Sequence, residues 1–254
     1  MKTVIILDSC LNCNRSCDAR IKQYENGLNS FFQYYHFFEK NDFDIIFADN
    51  SVDNLNNYPS IEKLLPKEIK IITKNFNNYG KISGSAGNFE HWLMSKDVWK
   101  NYDYLINFEI RQVIENINFF EEFIKEPISI FGWCTKVPYQ NKRWKKLFPP
   151  GIYTNKDPKF EIEKYGRDNS NVRNIMFNDF YTGLMCIKIK EFLPFVENYD
   201  LDSIIKIVPG IGMKSLENIM MSFAYDFLPK FKIVERLYIT RYSSYNNLDK
   251  LEHY

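Results

Sequence analysis

Residues 43–51 read Phe43-Asp44-Ile45-Ile46-Phe47-Ala48-Asp49-Asn50-Ser51: a short apolar run that stops on three small polar residues. Such a run is too short for a typical globular helix, and its branched and aromatic side chains suit a buried strand. Working outward, the same layout recurs twice. Residues 2–8 form an apolar, β-branched run ending at Asp8-Ser9, and Tyr102 to Phe108 lead into Glu109-Ile110-Arg111. Between the first two strands, Ile21, Tyr24, Leu28, Phe31, Phe32 and Tyr35 recur at intervals of three and four, which predicts a helix over 15–40. A short helix at 61–65, a strand at Ile69–Ile72, a helix at Ala86–Lys96 and another at 116–125, closed by Pro127, continue the alternation. Alternating strands and helices predict an α/β fold, Rossmann-like, with a mostly parallel open sheet and helices on both faces.

The second half is less regular. Residues 128–134 read as a strand, and 137–170, rich in Lys, Asn, Pro and Tyr, as a long loop or lid. A strand pair is expected near Thr182 to Ile189, a helix from Leu216 to Phe227 and a last strand at Phe231–Val234. The expectation is one domain, with residues 1–127 as a nucleotide-binding half and 128–254 as an acceptor-binding half.

Bulk properties exclude several classes. With 33 basic against 32 acidic residues, the chain lacks the cationic excess of a surface that tracks nucleic acid, so no nucleic-acid partner is expected. No apolar run approaches the ~20 residues of a membrane span, and the N-terminus lacks a secretory h-region. A cytoplasmic protein is expected. Lys142, Arg143, Lys145 and Lys146 flank Trp144, a pattern suited to peripheral contact with the inner face of a membrane or to a solvated loop. The wealth of Asn, Lys, Ile, Tyr and Phe is attributed first to an AT-rich genome. Cys10, Cys13 and Cys17 crowd together but fall short of the four paired ligands of a structural zinc site. Free thiols in a reducing cytosol are the expected reading. His91, beside Trp92, is expected to pack in the core.

In open α/β sheets, ligands collect at the carboxyl ends of the strands. Asp8-Ser9, Asp49-Asn50-Ser51 and Glu109-Ile110-Arg111 fall at three such ends. The stretch Asn78-Tyr79-Gly80-Lys81-Ile82-Ser83-Gly84-Ser85-Ala86-Gly87-Asn88 adds glycines that permit close approach of a ligand. It also opens a helix whose N–H groups would face phosphate, and Lys81 would add a charge. No Gly-Lys-Ser/Thr ends it, so it is not a P-loop.

The order of these features over roughly residues 1–235 resembles the GT-A glycosyltransferases. That resemblance implies a nucleotide-sugar donor whose base and ribose lie against Asp8, Ser9, Asp49, Asn50 and Ser51, with Lys81 and Gly84 near the pyrophosphate. A carboxylate can accept from both ribose hydroxyls. The alternative for Asp49-Asn50-Ser51 is a plain turn or helix cap. The family usually ends its metal-bearing strand with Asp-x-Asp, which holds Mn²⁺ or Mg²⁺. Here that place has one carboxylate, Glu109, and a guanidinium, Arg111. Either Glu109 binds a metal with help from water and phosphate, or Arg111 replaces the metal at the diphosphate, and the second is preferred.

The resemblance also implies a general base opening a late helix. Glu217 is the first candidate and Asp179 the second, although the helix dipole alone favours an acid at Glu217. Tyr181 and Thr182 match an acceptor-side segment, and Trp133 is placed to stack on a sugar; core packing is the alternative for these aromatics. The implied activity is sugar transfer to a cell-surface glycan or lipid-linked acceptor. A catalytically silent GT-A-like module that binds a glycan or partner enzyme is the second hypothesis, supported by Arg111. A sugar-phosphate nucleotidyltransferase is weaker, because residues 8–17 contain no glycine. A metal-cluster protein built on the three crowded cysteines is the remotest.

Overall fold

The computed structural model describes residues 1–12, 18–133, 150–154, 180–206, 215–242 and 251–253. The first half alternates as expected: β1 (Thr3–Ser9), α1 (Asp18–Phe32), α2 (Tyr35–Lys40), β2 (Phe43–Asp49), α3 (Pro59–Glu62), β3 (Lys70–Thr73), α4 (Gly84–Trp99) and β4 (Tyr104–Glu109). β5 (Gln112–Ile114), α5 (Asn118–Lys125) and β6 (Ser129–Trp133) follow. The second half holds β7 (Gly151–Tyr153), β8 (Phe180–Lys188), α6 (Ile189–Asn198), α7 (Leu201–Ile205), α8 (Leu216–Phe227), β9 (Phe231–Val234), β10 (Ile239–Tyr242) and β11 (Leu251–His253).

The strands form one eight-stranded sheet, ordered β3-β2-β1-β4-β8-β6-β9-β7, and a small antiparallel sheet, β11-β10-β5. β8 and the edge strand β7 run against the rest of the large sheet. β1 shows why this sheet forms. All its residues are buried, with Val4 and Ile6 in one hydrophobic cluster and Ile5 and Leu7 in the other. Successive side chains of a strand point to opposite faces, so a continuous apolar run demands cover on both. Cover on the first face comes from α4, α6 and α8, through Phe89, Trp92, Phe192 and Phe223. On the second it comes from α1, α2 and α5, through Leu28, Phe31, Phe38 and Phe120.

Several expectations change. The helix expected over 15–40 breaks at Gln33-Tyr34 into α1 and α2. The strand pair near Thr182 is one long strand, β8, wedged antiparallel between β4 and β6. Within the expected lid 137–170, Gly151–Tyr153 joins the sheet edge beside β9, and 137–149 and 155–170 lie outside the described residues. α6 was not anticipated, because Pro194 stands inside it. Its Ile189, Phe192, Phe195 and Val196 nevertheless line one buried face. Among the described residues no helix is long and apolar enough to cross a membrane.

Candidate functional site

β1 lies between β2 and β4, so the connection from β1 to β2 and the later one from β3 to β4 go to opposite sides of β1 and open a crevice at the carboxyl ends of these strands. A cavity of about 400 Å³ occupies that crevice. Of the residues expected at a nucleotide-sugar, Asp8, Ser9, Asn50, Lys81, Gly84 and Glu109 line it. Register explains the grouping. Asp8 pairs with Ala48 on one side and Glu109 on the other, and Ser9 pairs with Asp49.

Asp49, Ser51 and Arg111 do not line this cavity. Asp49 is fully buried, and its carboxylate accepts from Ser9 Oγ (2.7 Å), the Leu11 amide (2.8 Å), the Ser51 amide (2.7 Å) and Ser51 Oγ (2.6 Å). Ser51 Oγ in turn accepts from the Asn12 amide at 2.9 Å. Asp49 therefore ties the segment after β1 to the end of β2, and its oxygens are already occupied. Asn50 takes the other direction, donating from Nδ2 to the Gly87 carbonyl at 2.8 Å and so fastening α4.

The glycine-bearing loop is held from below by Glu90. Its buried carboxylate accepts from three successive amides, Asn78 (2.9 Å), Tyr79 (2.9 Å) and Gly80 (3.0 Å). Tyr79 Oη donates to Asp202 at the start of α7 (2.7 Å). Only glycine fits at residue 80, where an added Cβ would sit 1.7 Å from Asn77 Oδ1 and 3.0 Å from the Gly87 Cα. The loop is thus pressed onto the first turn of α4, whose Ser83 cap makes no side-chain hydrogen bond. First-turn amides have no intrahelical acceptor, so this helix start offers donors beside Gly84 and Lys81. Replacing Glu90 by Gln presents an amide to three N–H donors and should cost about 2 kcal/mol of stability. A shift of the urea midpoint at constant slope measures it, and an unchanged midpoint refutes the account of the loop.

At the far wall, burial pushes the Asp8 carboxyl up to about 6, aided by Glu109 and Asp49 and opposed by His91 and Arg111. His91 is packed in the core, as expected, but also meets the site. Its Nε2 lies 2.9 Å from the Ala48 carbonyl and 3.3 Å from Asp8 Oδ1. A carbonyl can only accept, so Nε2 carries the hydrogen. Glu109 behaves oppositely. Burial would raise its pKa, but the attraction of Arg111, Arg241 and Arg20 outweighs burial and holds it below the ordinary range. Arg111, only 4 % exposed, donates from both Nε and Nη2 to Glu109 Oε1. Arg111 is thus bound to Glu109 and is not among the residues that line the cavity.

The family's divalent cation does not fit these residues. At the strand end 109–111 one carboxylate stands where the family has two, and the positive charge of Arg111, Arg241 and Arg20 acts on it. Among the described residues no group of three His, Cys, Asp or Glu could hold a metal ion. Cys10 lines the cavity, its Sγ accepting from Asn77 Nδ2 at 3.6 Å, and Cys13 and Cys17 lie outside the described residues.

Of the remaining expected residues, Glu217, Tyr181 and Thr182 are not among those lining the cavity. Glu217 lies in the first turn of α8, which packs on β8, α4 and α6, and does not line the cavity. Tyr181 is buried beneath Arg241, whose guanidinium stands 5.8 Å from its ring centre. Thr182 offers its carbonyl to Asn107 Nδ2 at 3.2 Å, and Trp133 ends β6. Asp179 and the basic residues Lys142, Arg143, Lys145 and Lys146 lie outside the described residues.

Arg20, Tyr24, Asn77, Asn88 and His91 line the cavity without having been anticipated. Arg20 donates from Nε to Tyr24 Oη at 2.9 Å, and Tyr24 Oη donates to the Cys10 carbonyl at 3.1 Å. The signal for this pair was their spacing of four on α1, which places both side chains on one face.

No protein-family model matches the sequence, and no curated protein does. Solved structures do. TarS 1-349 from S. aureus superposes with a TM-score of 0.52 at 12% identity, covering 92% of this chain and 58% of that one. The longer TarS structure gives 0.50 at 11% identity, covering 92% and 35%. Core-mannan synthase A from Aspergillus fumigatus, in its Mn/GDP form, gives 0.49 at 9% identity, covering 94% and 73%. This chain therefore spans about a third to three fifths of the length of the two TarS structures. At such identities the likeness is one of fold alone, and the strand order agrees with the two TarS structures: the chain has a GT-A-like fold.

Proposed function

We propose that this protein is a glycosyltransferase that holds a nucleotide-sugar in the cavity at the ends of β1, β2 and β4. One observation carries the reading: the cavity sits at the topological switch point and is lined by the start of α4, Lys81, Asp8, Glu109 and Arg20. Asp8, Ser9 and Asn50 are suited to the ribose and base, and Lys81 with the amides near Gly84 to the diphosphate. Asp49 and Ser51 act by holding the segment after β1. The sugar is passed to a cell-surface glycan or lipid-linked acceptor on the side of Thr182, Tyr181 and Trp133, with Glu217, or in its place Asp179, as general base. Lys142, Arg143, Lys145 and Lys146 would bring the enzyme to the cytoplasmic face of a membrane.

A thermal-shift panel of UDP, GDP, CMP and dTDP compounds tests this proposal. One series should raise Tm, because a ligand at a hundred times its Kd stabilises by about 2.7 kcal/mol. No shift with any nucleotide sinks the proposal. Binding without transfer or donor hydrolysis favours the silent module, a reading that rests on Arg111 standing where the second acid of the motif is expected.

A further inference from the structure

Resting on the nucleotide-sugar reading above, we propose that Arg20 of α1 meets the donor's diphosphate in this cavity, so that the site works without a divalent cation. Arg20 lines the cavity, is 6 % exposed and comes from a helix, not from the strand end where the family keeps its metal ligands. Its Nε is held by Tyr24 Oη, and Tyr24 is itself anchored to the Cys10 backbone, so the guanidinium is fixed in place before any ligand arrives. A planar fork fixed in this way pays little ordering entropy when it pairs with phosphate oxygens.

Arg111 is bound to Glu109, and Arg241 and Arg20 also act on it strongly enough to overcome burial. A dication placed there would face the guanidinium groups that act on Glu109 and would have to break the buried Arg111–Glu109 pair. Positive charge at this wall is already supplied by the chain. Sugar transfer needs it at one point. As the bond from the sugar C1 to the diphosphate breaks, its electron pair stays on the β-phosphate oxygen. The acceptor oxygen bonds to C1 and gives its proton to the base. The charge left on the diphosphate is what Arg20, with Lys81 of the same cavity lining, would neutralise.

Titration calorimetry on the full chain tests this, with inorganic pyrophosphate, the nucleoside diphosphate chosen by the panel, and its parent nucleoside, in EDTA and in Mn²⁺. Pyrophosphate and the diphosphate should bind in EDTA within about threefold of their affinity in Mn²⁺. Arg20→Gln should weaken both by about tenfold or more and leave the nucleoside unchanged. Arg20→Lys keeps the charge without the fork, and a loss of a few-fold is expected, confined to the phosphate-bearing probes. If Arg20→Gln does not fold, this second variant decides. Binding of the diphosphate only in Mn²⁺ or Mg²⁺ overturns the inference and leaves the glycosyltransferase reading intact. Equal weakening of nucleoside and diphosphate also overturns it. No binding of any of the three probes by the wild-type chain overturns both.

Discussion

Gly27→Ala should destabilise the protein by about 3 kcal/mol or more, the largest loss expected from adding one methyl group anywhere on α1. Gly27 lies where α1 crosses the connection from β4 to β5. A Cβ there would stand 1.8 Å from the Ile110 carbonyl oxygen and 2.6 Å from that of Gln112. Both are backbone atoms, so no side chain can rotate away, and relief requires moving α1 off β5. The Ser30 hydroxyl, one turn on, donates to the Gly27 carbonyl and accepts from the Ile114 amide, so the same shift strains that link. For a chain of this size each kcal/mol moves Tm by about 2–4 °C, giving a fall of about 6–12 °C. Gly84→Ala is the control. Nothing lies within 4 Å of its added Cβ, and alanine suits a helix better, so Tm should hold or rise slightly. Equal Tm values for wild type and Gly27→Ala would refute the packing described for this seam.

The seam also shows how much of the fold the sequence reveals. β1, β2 and β4 were legible because each is a continuous apolar run, which is what burial on both faces requires. β5 and β10 were not. β5 is three residues long and begins with the buried polar Gln112, and β10 includes the cationic Arg241. Strands that short carry no period to read. At the site, the strand-end clusters were found by residue type, and their division of labour was not. Asp49 and Asp8 are the same residue type one strand apart. One is consumed by four donors while the other faces the cavity. Arg111 was singled out from sequence, but its burial and its pairing with Glu109 were not legible there. Arg20 was hidden because its role depends on a tyrosine one helical turn away and on the distant Cys10 backbone.

Asp8→Asn should do two opposite things: stabilise the folded chain at neutral pH and weaken nucleotide binding. The Asp8 carboxyl rises from an ordinary 3.8 to about 6, chiefly because burial penalises its charged form. Between those values the folded state holds a proton that the unfolded state has released, so stability falls as pH rises through this window. Above about 6 the full cost of the buried charge is present. Two pH units at about 1.4 kcal/mol each put it near 3 kcal/mol. Asparagine removes that charge, keeps the shape, and can still accept from His91 Nε2. Glu109 titrates with the opposite sign, its lowered pKa giving stability that is lost only at more acidic pH, so the Asp8 effect is cleanest between about pH 7 and 5. In that interval wild type should gain stability as the solution is acidified, and Asp8→Asn should start higher and stay flatter. Urea unfolding at several pH values measures both. A chain that keeps a strained, charged acid at a cavity wall at this cost should lose affinity when it is removed, as stability and function trade at sites built for ligands. Parallel urea curves for wild type and Asp8→Asn across that pH range would show that Asp8 is not the strained group.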